Sequence, residues 1–137
     1  MRAILDTNVF LSGVFFTGPP YRILKAWKEG TIQLVISREI LGEYQRVAEE
    51  LAGQFPEIDA RPMLTLVAVK AELFPAPRLA ERVCSDPDDD KFLACAVASR
   101  TKIVVSGDKH LLAVSGFRGI KVVKPRQFVD EHLSNLA

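Results

Sequence analysis

Arg2 to Leu5 opens the chain with a short apolar run that stops at Asp6, as suits a strand buried in a parallel sheet. Asn8 to Phe16 is apolar nearly throughout, the pattern of a core helix, and Gly18-Pro19-Pro20 ends it. Tyr21 to Glu29 predicts a helix with Pro20 near its first position and Gly30 just past its end. Ile32 to Ile36 predicts a second strand. Ser37 then supplies an N-cap for a long helix in which Ile40, Leu41, Tyr44, Val47 and Leu51 recur at helical spacing. Glu57 to Lys70 predicts a further helix disturbed near Pro62, and Leu73-Phe74 a short edge strand before Pro75-Ala76-Pro77.

The run S-D-P-D-D-D-K, Ser85 to Lys91, opens the next helix, to which Phe92, Leu93, Ala96 and Val97 give a buried face. Ile103 to Val105 predicts a strand, Lys109 to Val114 a short helix, and Ile120 to Val123 a last strand. Pro125 begins a C-terminal helix through Phe128, Val129 and Leu133. Strands alternate with helices throughout, so the fold class is α/β with a parallel sheet covered on both faces.

Composition narrows the picture only a little. At 137 residues the chain fits one domain, 1–137, and 48% hydrophobic with 26% charged residues is ordinary for a globular protein. No apolar run approaches the roughly 18 residues of a membrane span. Asp6 interrupts the N-terminal stretch too early for a signal peptide, so a cytoplasmic location is expected. Cys84 and Cys95 form no C-x-x-C and the histidines number two, which argues against zinc and suits a reducing compartment. A net charge of +1 does not reveal a nucleic-acid partner.

The acids change the picture more. Carboxylates packed as closely as Asp86, Asp88, Asp89 and Asp90 repel one another and need a reason to stay together. Asp86, before Pro87, reads as an N-cap, and Asp88 as a solvated side chain of the first turn. Asp90 shares a helical face with Leu93, Ala94 and Val97, and a carboxylate facing inward needs a partner; Asp89 is intermediate. Asp6 ends the first strand, and Asp108 follows Val104-Val105-Ser106-Gly107 at the end of a later one. Ligands of doubly wound sheets sit beyond such strand ends, where the winding reverses. Glu43, at the edge of the Ser37 helix's apolar stripe, can join them. Each acid alone has an ordinary reading as a cap or a surface position. Together Asp6, Glu43, Asp90 and Asp108 would make an oxygen-only pocket of the kind that suits magnesium or manganese.

The segments I-L-D-T-N-V, S-R-E-I-L-G-E-Y, D-P-D-D-D-K-F-L-A-C-A and V-V-S-G-D-K-H-L occur in an order that resembles the PIN-domain family of metal-dependent ribonucleases, including VapC-like toxins. The resemblance spans nearly the whole chain, and its D-P-D-D-D-K-F-L form is similar to a bacterial and archaeal subgroup of toxin components. It implies a three-layer α/β/α fold with strand order 3-2-1-4-5. It places the family's acids, as catalytic residues and metal ligands, on Asp6, Glu43, Asp90 and Asp108. Supporting roles fall to Thr7, Asn8 and Ser106, with Asp86 one turn before Asp90 and able to assist. The implied reaction is hydrolysis of an RNA phosphodiester with one or two Mg2+ or Mn2+ ions. Lys91, Lys109, Arg38 and Arg46 are the cations expected at the rim to guide RNA. The resemblance also implies an antitoxin protein as partner and a homodimer. Val14-Phe15-Phe16, Tyr21 and Ile23 are apolar enough for such contacts, or for the core. Two other readings stand beside it. A non-catalytic RNA- or protein-binding module could use the same fold. A haloacid-dehalogenase-like phosphatase would expect a second acid where this chain has Asn8.

Overall fold

The computed structural model describes residues 1–133. The first apolar run forms β1 (Arg2–Leu5), which becomes the central strand of a five-stranded parallel sheet. β2 (Gln33–Ile36) and then β3 (Glu72–Leu73) lie on one side of it, and β4 (Ile103–Val105) and β5 (Lys121–Val123) on the other. The order is therefore 3-2-1-4-5, with Ala3 opposite Leu34 and Ile4 opposite Val104. Winding reverses at β1, so the carboxyl ends of β1 and β4 lie side by side.

Helices cover both faces and bury the sheet's apolar residues, including Ile4, Leu34, Val35 and Val104. α1 (Thr7–Phe15) starts directly off β1 and packs on α2 (Pro19–Lys28) and α3 (Arg38–Ala52). Gly13 lets α1 and α2 close up: a Cβ there would stand 2.6 Å from Leu24 Cδ1 and 2.8 Å from the Pro20 carbonyl oxygen. Ser37 caps α3 as its sequence predicts, accepting from the Ile40 amide at 3.3 Å. Tyr44 locks α3 in place, because its ring stacks on Phe10 at 4.2 Å while its hydroxyl donates to the Leu5 carbonyl at 2.5 Å. Both contacts are buried, and they bring α3 over the carboxyl end of β1.

Several boundaries depart from the sequence pattern. The helix expected from Glu57 is α4 (Arg61–Lys70). Pro62 belongs in a first turn, where its missing N–H costs nothing, and Asp59 Oδ1 accepts from the Arg61 amide at 3.0 Å just ahead of it. The edge strand sits one residue earlier than Leu73-Phe74, although the Phe74 amide still donates to the Ile36 carbonyl at 2.9 Å. The acidic run does not enter an α-helix directly: Pro87–Asp89 make a tighter 3-10 turn, and α5 (Asp90–Ser99) follows. Within α5 the buried residues are Phe92 to Ala96 and Ser99, while Val97 is only half-buried. α6 (Lys109–Leu112) is shorter than expected, and α7 (Pro125–Phe128) continues as a π-helical turn, Val129–Leu133. No helix among the described residues is long and apolar enough to cross a membrane.

Candidate active site

Asp6 leaves β1 as its last residue turns into α1, and its carboxylate caps that helix by accepting from the Val9 amide at 2.8 Å. Its other oxygen accepts from the Ser106 hydroxyl, which follows β4. Ser106 also accepts from the Asp108 amide at 2.9 Å, so one buried hydroxyl ties the two strand ends together. Asp108 in turn caps α6, accepting from the His110 amide at 2.7 Å. The bland reading of Asp6 and Asp108 as caps is thus correct and does not exclude the functional one. Asp6 is only 5% exposed, and burial raises its pKa. Ser106 and the Val9 amide oppose that shift, and the nearby charges of Asp108 and Glu43 reinforce it.

Glu43 reaches the same place from α3. The Thr7 hydroxyl donates to its Oε2, and Lys91 Nζ lies 2.5 Å from its Oε1. The side chains of Lys91 and Glu43 are 19% and 16% exposed, so this pair is substantially shielded from water. Arg46 approaches the same oxygen at 3.7 Å from a well exposed position.

The 3-10 turn decides which member of the acidic run joins them. Asp6, Thr7, Asn8, Glu43, Asp86, Asp88, Asp89 and Asp108 line one cleft of about 210 Å3 beyond the carboxyl ends of β1 and β4. Asp90 is absent from that lining. Its two oxygens accept from the Val83 amide at 3.0 Å and the Cys84 amide at 2.7 Å, which anchors the loop leading into α5. Burial works against ionisation of Asp90, but these amides outweigh it and hold its pKa below the ordinary value. The expectation that Asp90 completes the pocket is therefore corrected: Asp89 faces the cleft instead. Asp89 lies three residues before the buried Phe92, whereas Val97, expected on the inward face with Asp90, is only half-buried. Asp89 Oδ2 is buried without a hydrogen-bond partner. Burial pushes its pKa up to about 6, with repulsion from Asp108, Asp86 and Asp6 adding to the effect and His110 opposing it.

Of the supporting residues, Thr7 and Ser106 hold acids in place, and Asn8 lines the cleft exposed. Asp86 both lines the cleft and caps the 3-10 turn, accepting from the Asp88 amide at 3.0 Å. The four rim cations divide. Lys91 is committed to Glu43, Arg46 stands beside it, and Arg38 and Lys109 are exposed on the first turns of α3 and α6.

The donor set fits a hard divalent cation in chemistry, being all oxygen with one buried carboxylate oxygen left without a partner. As the side chains stand, no three acidic, histidine or cysteine groups among the described residues converge closely enough to hold an ion. Ser106 and the Val9 amide bond Asp6, and Thr7 and Lys91 bond Glu43.

Comparison with known proteins agrees with the architecture. The chain is 28% identical over 142 residues to an uncharacterized protein of Methanocaldococcus jannaschii, covering 96% of this chain and 91% of that protein. Its fold is similar to that of the PIN domain of T. brucei RRP44, with a TM-score of 0.50 at 17% identity, covering 98% of this chain and 82% of the other. PIN domains are generally metal-dependent nucleases. Residues 2–110, which include every acid of the cleft, match the PIN domain, and the chain belongs to that family.

Proposed function

We propose that this protein is an endoribonuclease that hydrolyses RNA phosphodiester bonds with Mg2+ or Mn2+. The observation that carries the reading is that Asp6, Glu43, Asp89 and Asp108 all line one cleft, with Asp89 Oδ2 buried and unpartnered. These four carboxylates are the residues to hold the ion or ions. A divalent ion supplies Lewis acidity at phosphorus and a water that ionises near neutral pH. The protein's own part is positional. Ser106 and the Val9 amide fix Asp6, and Thr7 and Lys91 fix Glu43, so that neither carboxylate swings out of the cleft. Asp89, whose Oδ2 has no hydrogen-bond partner, keeps an oxygen available inside the cleft.

The finer assignment follows the resemblance. We place the chain as the toxin of a type II toxin–antitoxin pair, one domain acting as a cytoplasmic homodimer and silenced by an antitoxin segment in the cleft. Phe16 and Tyr21 support a protein contact, being 51% and 46% exposed although large and apolar, whereas Phe15 and Ile23 are buried in the core. A non-catalytic binding module is the second reading, favoured by Glu43 having both oxygens already occupied.

Incubation of the purified protein with single-stranded RNA separates them. Cleavage with Mg2+ or Mn2+ that stops in EDTA and fails in Asp6→Asn and Asp89→Asn supports the nuclease. Binding without cleavage under every metal condition would overturn it.

A further inference from the structure

At the end of the sheet opposite the cleft, Arg100, Lys102, Arg118 and Lys121 gather around the starts of β4 and β5. The Lys121 amide donates to the Lys102 carbonyl at 2.8 Å, and Lys102 Nζ lies 3.9 Å from the position a Cβ on Gly119 would take. All four residues are exposed, and among the described residues none stands within 4.0 Å of a carboxylate oxygen. Arg2, at the same end of β1, is by contrast paired with Glu72 at 2.5 Å. The backbone adds an independent observation. Arg100 (φ 58°) and Arg118 (φ 49°) are the two non-glycine residues with left-handed backbone among the described residues. Glycine takes that conformation without strain and is the common choice there, yet both positions carry a guanidinium. Lys121 on an edge strand also discourages strand pairing, but that role asks nothing of Arg100 or Arg118.

We infer that this amino-end patch is a docking surface for the phosphodiester backbone of RNA extending beyond the cleft, an inference that rests on the ribonuclease reading above. Arginine forks suit phosphate oxygens, and among the described residues no carboxylate pairs with these cations, although Arg118 lies over the Phe117 ring at 5.3 Å. The span is short: the four residue steps from Lys102 to Ser106 cover about 13 Å along the strand direction. Lys124, just past β5, and Lys109, beside Asp108, are exposed cations that follow the carboxyl ends of β5 and β4. The patch therefore discriminates by length, holding long RNA and ignoring fragments that fill only the cleft.

The test is fluorescence anisotropy in EDTA, where cleavage does not intervene, with a long unstructured RNA and a hexanucleotide. Arg100→Gly with Arg118→Gly removes two cations while giving the left-handed backbone the residue it accommodates best, so the melting temperature stays level or rises. Affinity for the long RNA should fall about ten-fold at 0.1 M salt, and the slope of log affinity against log salt should drop by about 0.7 for each cation removed. Hexanucleotide binding should not change. Unchanged long-RNA affinity overturns the inference, as does an equal loss on the hexanucleotide. Loss of binding to phosphatidylserine vesicles with RNA binding intact overturns it in favour of a lipid surface. Asp6→Asn separates this result from the catalytic reading, since it should abolish cleavage and leave the length-dependent affinity in place.

Discussion

Burial pushes the Asp89 carboxyl up to about 6, helped by Asp108, Asp86 and Asp6, while its neighbour Asp90 is held below the ordinary value because two amides outweigh its own burial. The two therefore bear on stability in opposite pH ranges. The folded value of Asp89 lies above its unfolded 3.8, so its contribution is full in acid and is lost as pH rises through about 6. That of Asp90 is full above the ordinary carboxylate range and is lost as pH falls through its lowered folded value. Thermal melts in EDTA from acid to neutral pH should show Asp89→Asn raising the melting temperature at pH 7, an advantage that disappears toward pH 4. Asp90→Asn should cost about 1–3 kcal/mol at pH 7, the worth of charge-assisted bonds to two amides, and little in strong acid. Shifts of the same sign at pH 7 would show the assignment of the two side chains to be wrong. The sequence made Asp6, Glu43 and Asp108 legible through strand ends and one helical stripe, but it could not choose between these two. Phe92 to Ala96 are buried without a break, so apolar periodicity names no single inward face on α5.

The elements themselves were readable where one signal dominated. Ser37 capping α3 and the apolar runs of β1, β2 and β4 fall where pattern and capping chemistry put them, and α2, expected from Tyr21 with Pro20 near its first position, begins at Pro19. Boundaries slipped where the signals disagreed. The apolar spacing before Pro62 runs on across a turn, and the 3-10 geometry of Pro87–Asp89 rotates the acids relative to an ideal α-helix. Gly13 shows what a composition count hides, since its meaning depends on the α2 atoms lying against it. A methyl group there meets the Pro20 carbonyl at 2.8 Å, and backbone yields less readily than a side-chain tip. Gly13→Ala is therefore expected to destabilise by about 1–3 kcal/mol through overpacking, despite alanine's better helix propensity. Gly42→Ala is the control. It has nothing within 4 Å of the added carbon, and urea melts should find it neutral or stabilising.

For the molecule as a whole, the alternation of strands and helices was enough to announce the parallel sheet, and its order is 3-2-1-4-5 as the resemblance implied. What the sequence could not supply was the bonding that holds the cleft together, because Ser106, Thr7 and Lys91 acquire their partners only through the fold. An ion that binds the folded cleft and not the unfolded chain must stabilise the protein, by about 2.7 kcal/mol at roughly 100 times Kd. Excess Mg2+ is accordingly expected to raise the melting temperature of the wild type and to leave Asp6→Asn nearly unmoved; equal shifts would place the ion elsewhere. The Ser106–Asp6 bond has a further consequence, in time rather than space. Its partners are 100 residues apart, and β1 cannot gain its second neighbour until β4 exists. During synthesis the β1–β2–β3 half can pair while the remainder is still being made. The cleft cannot: a nascent chain stalled before residue 103 already carries Asp6, Glu43 and Asp89 but lacks Ser106 and Asp108, so the cleft is completed only late in the chain's own production.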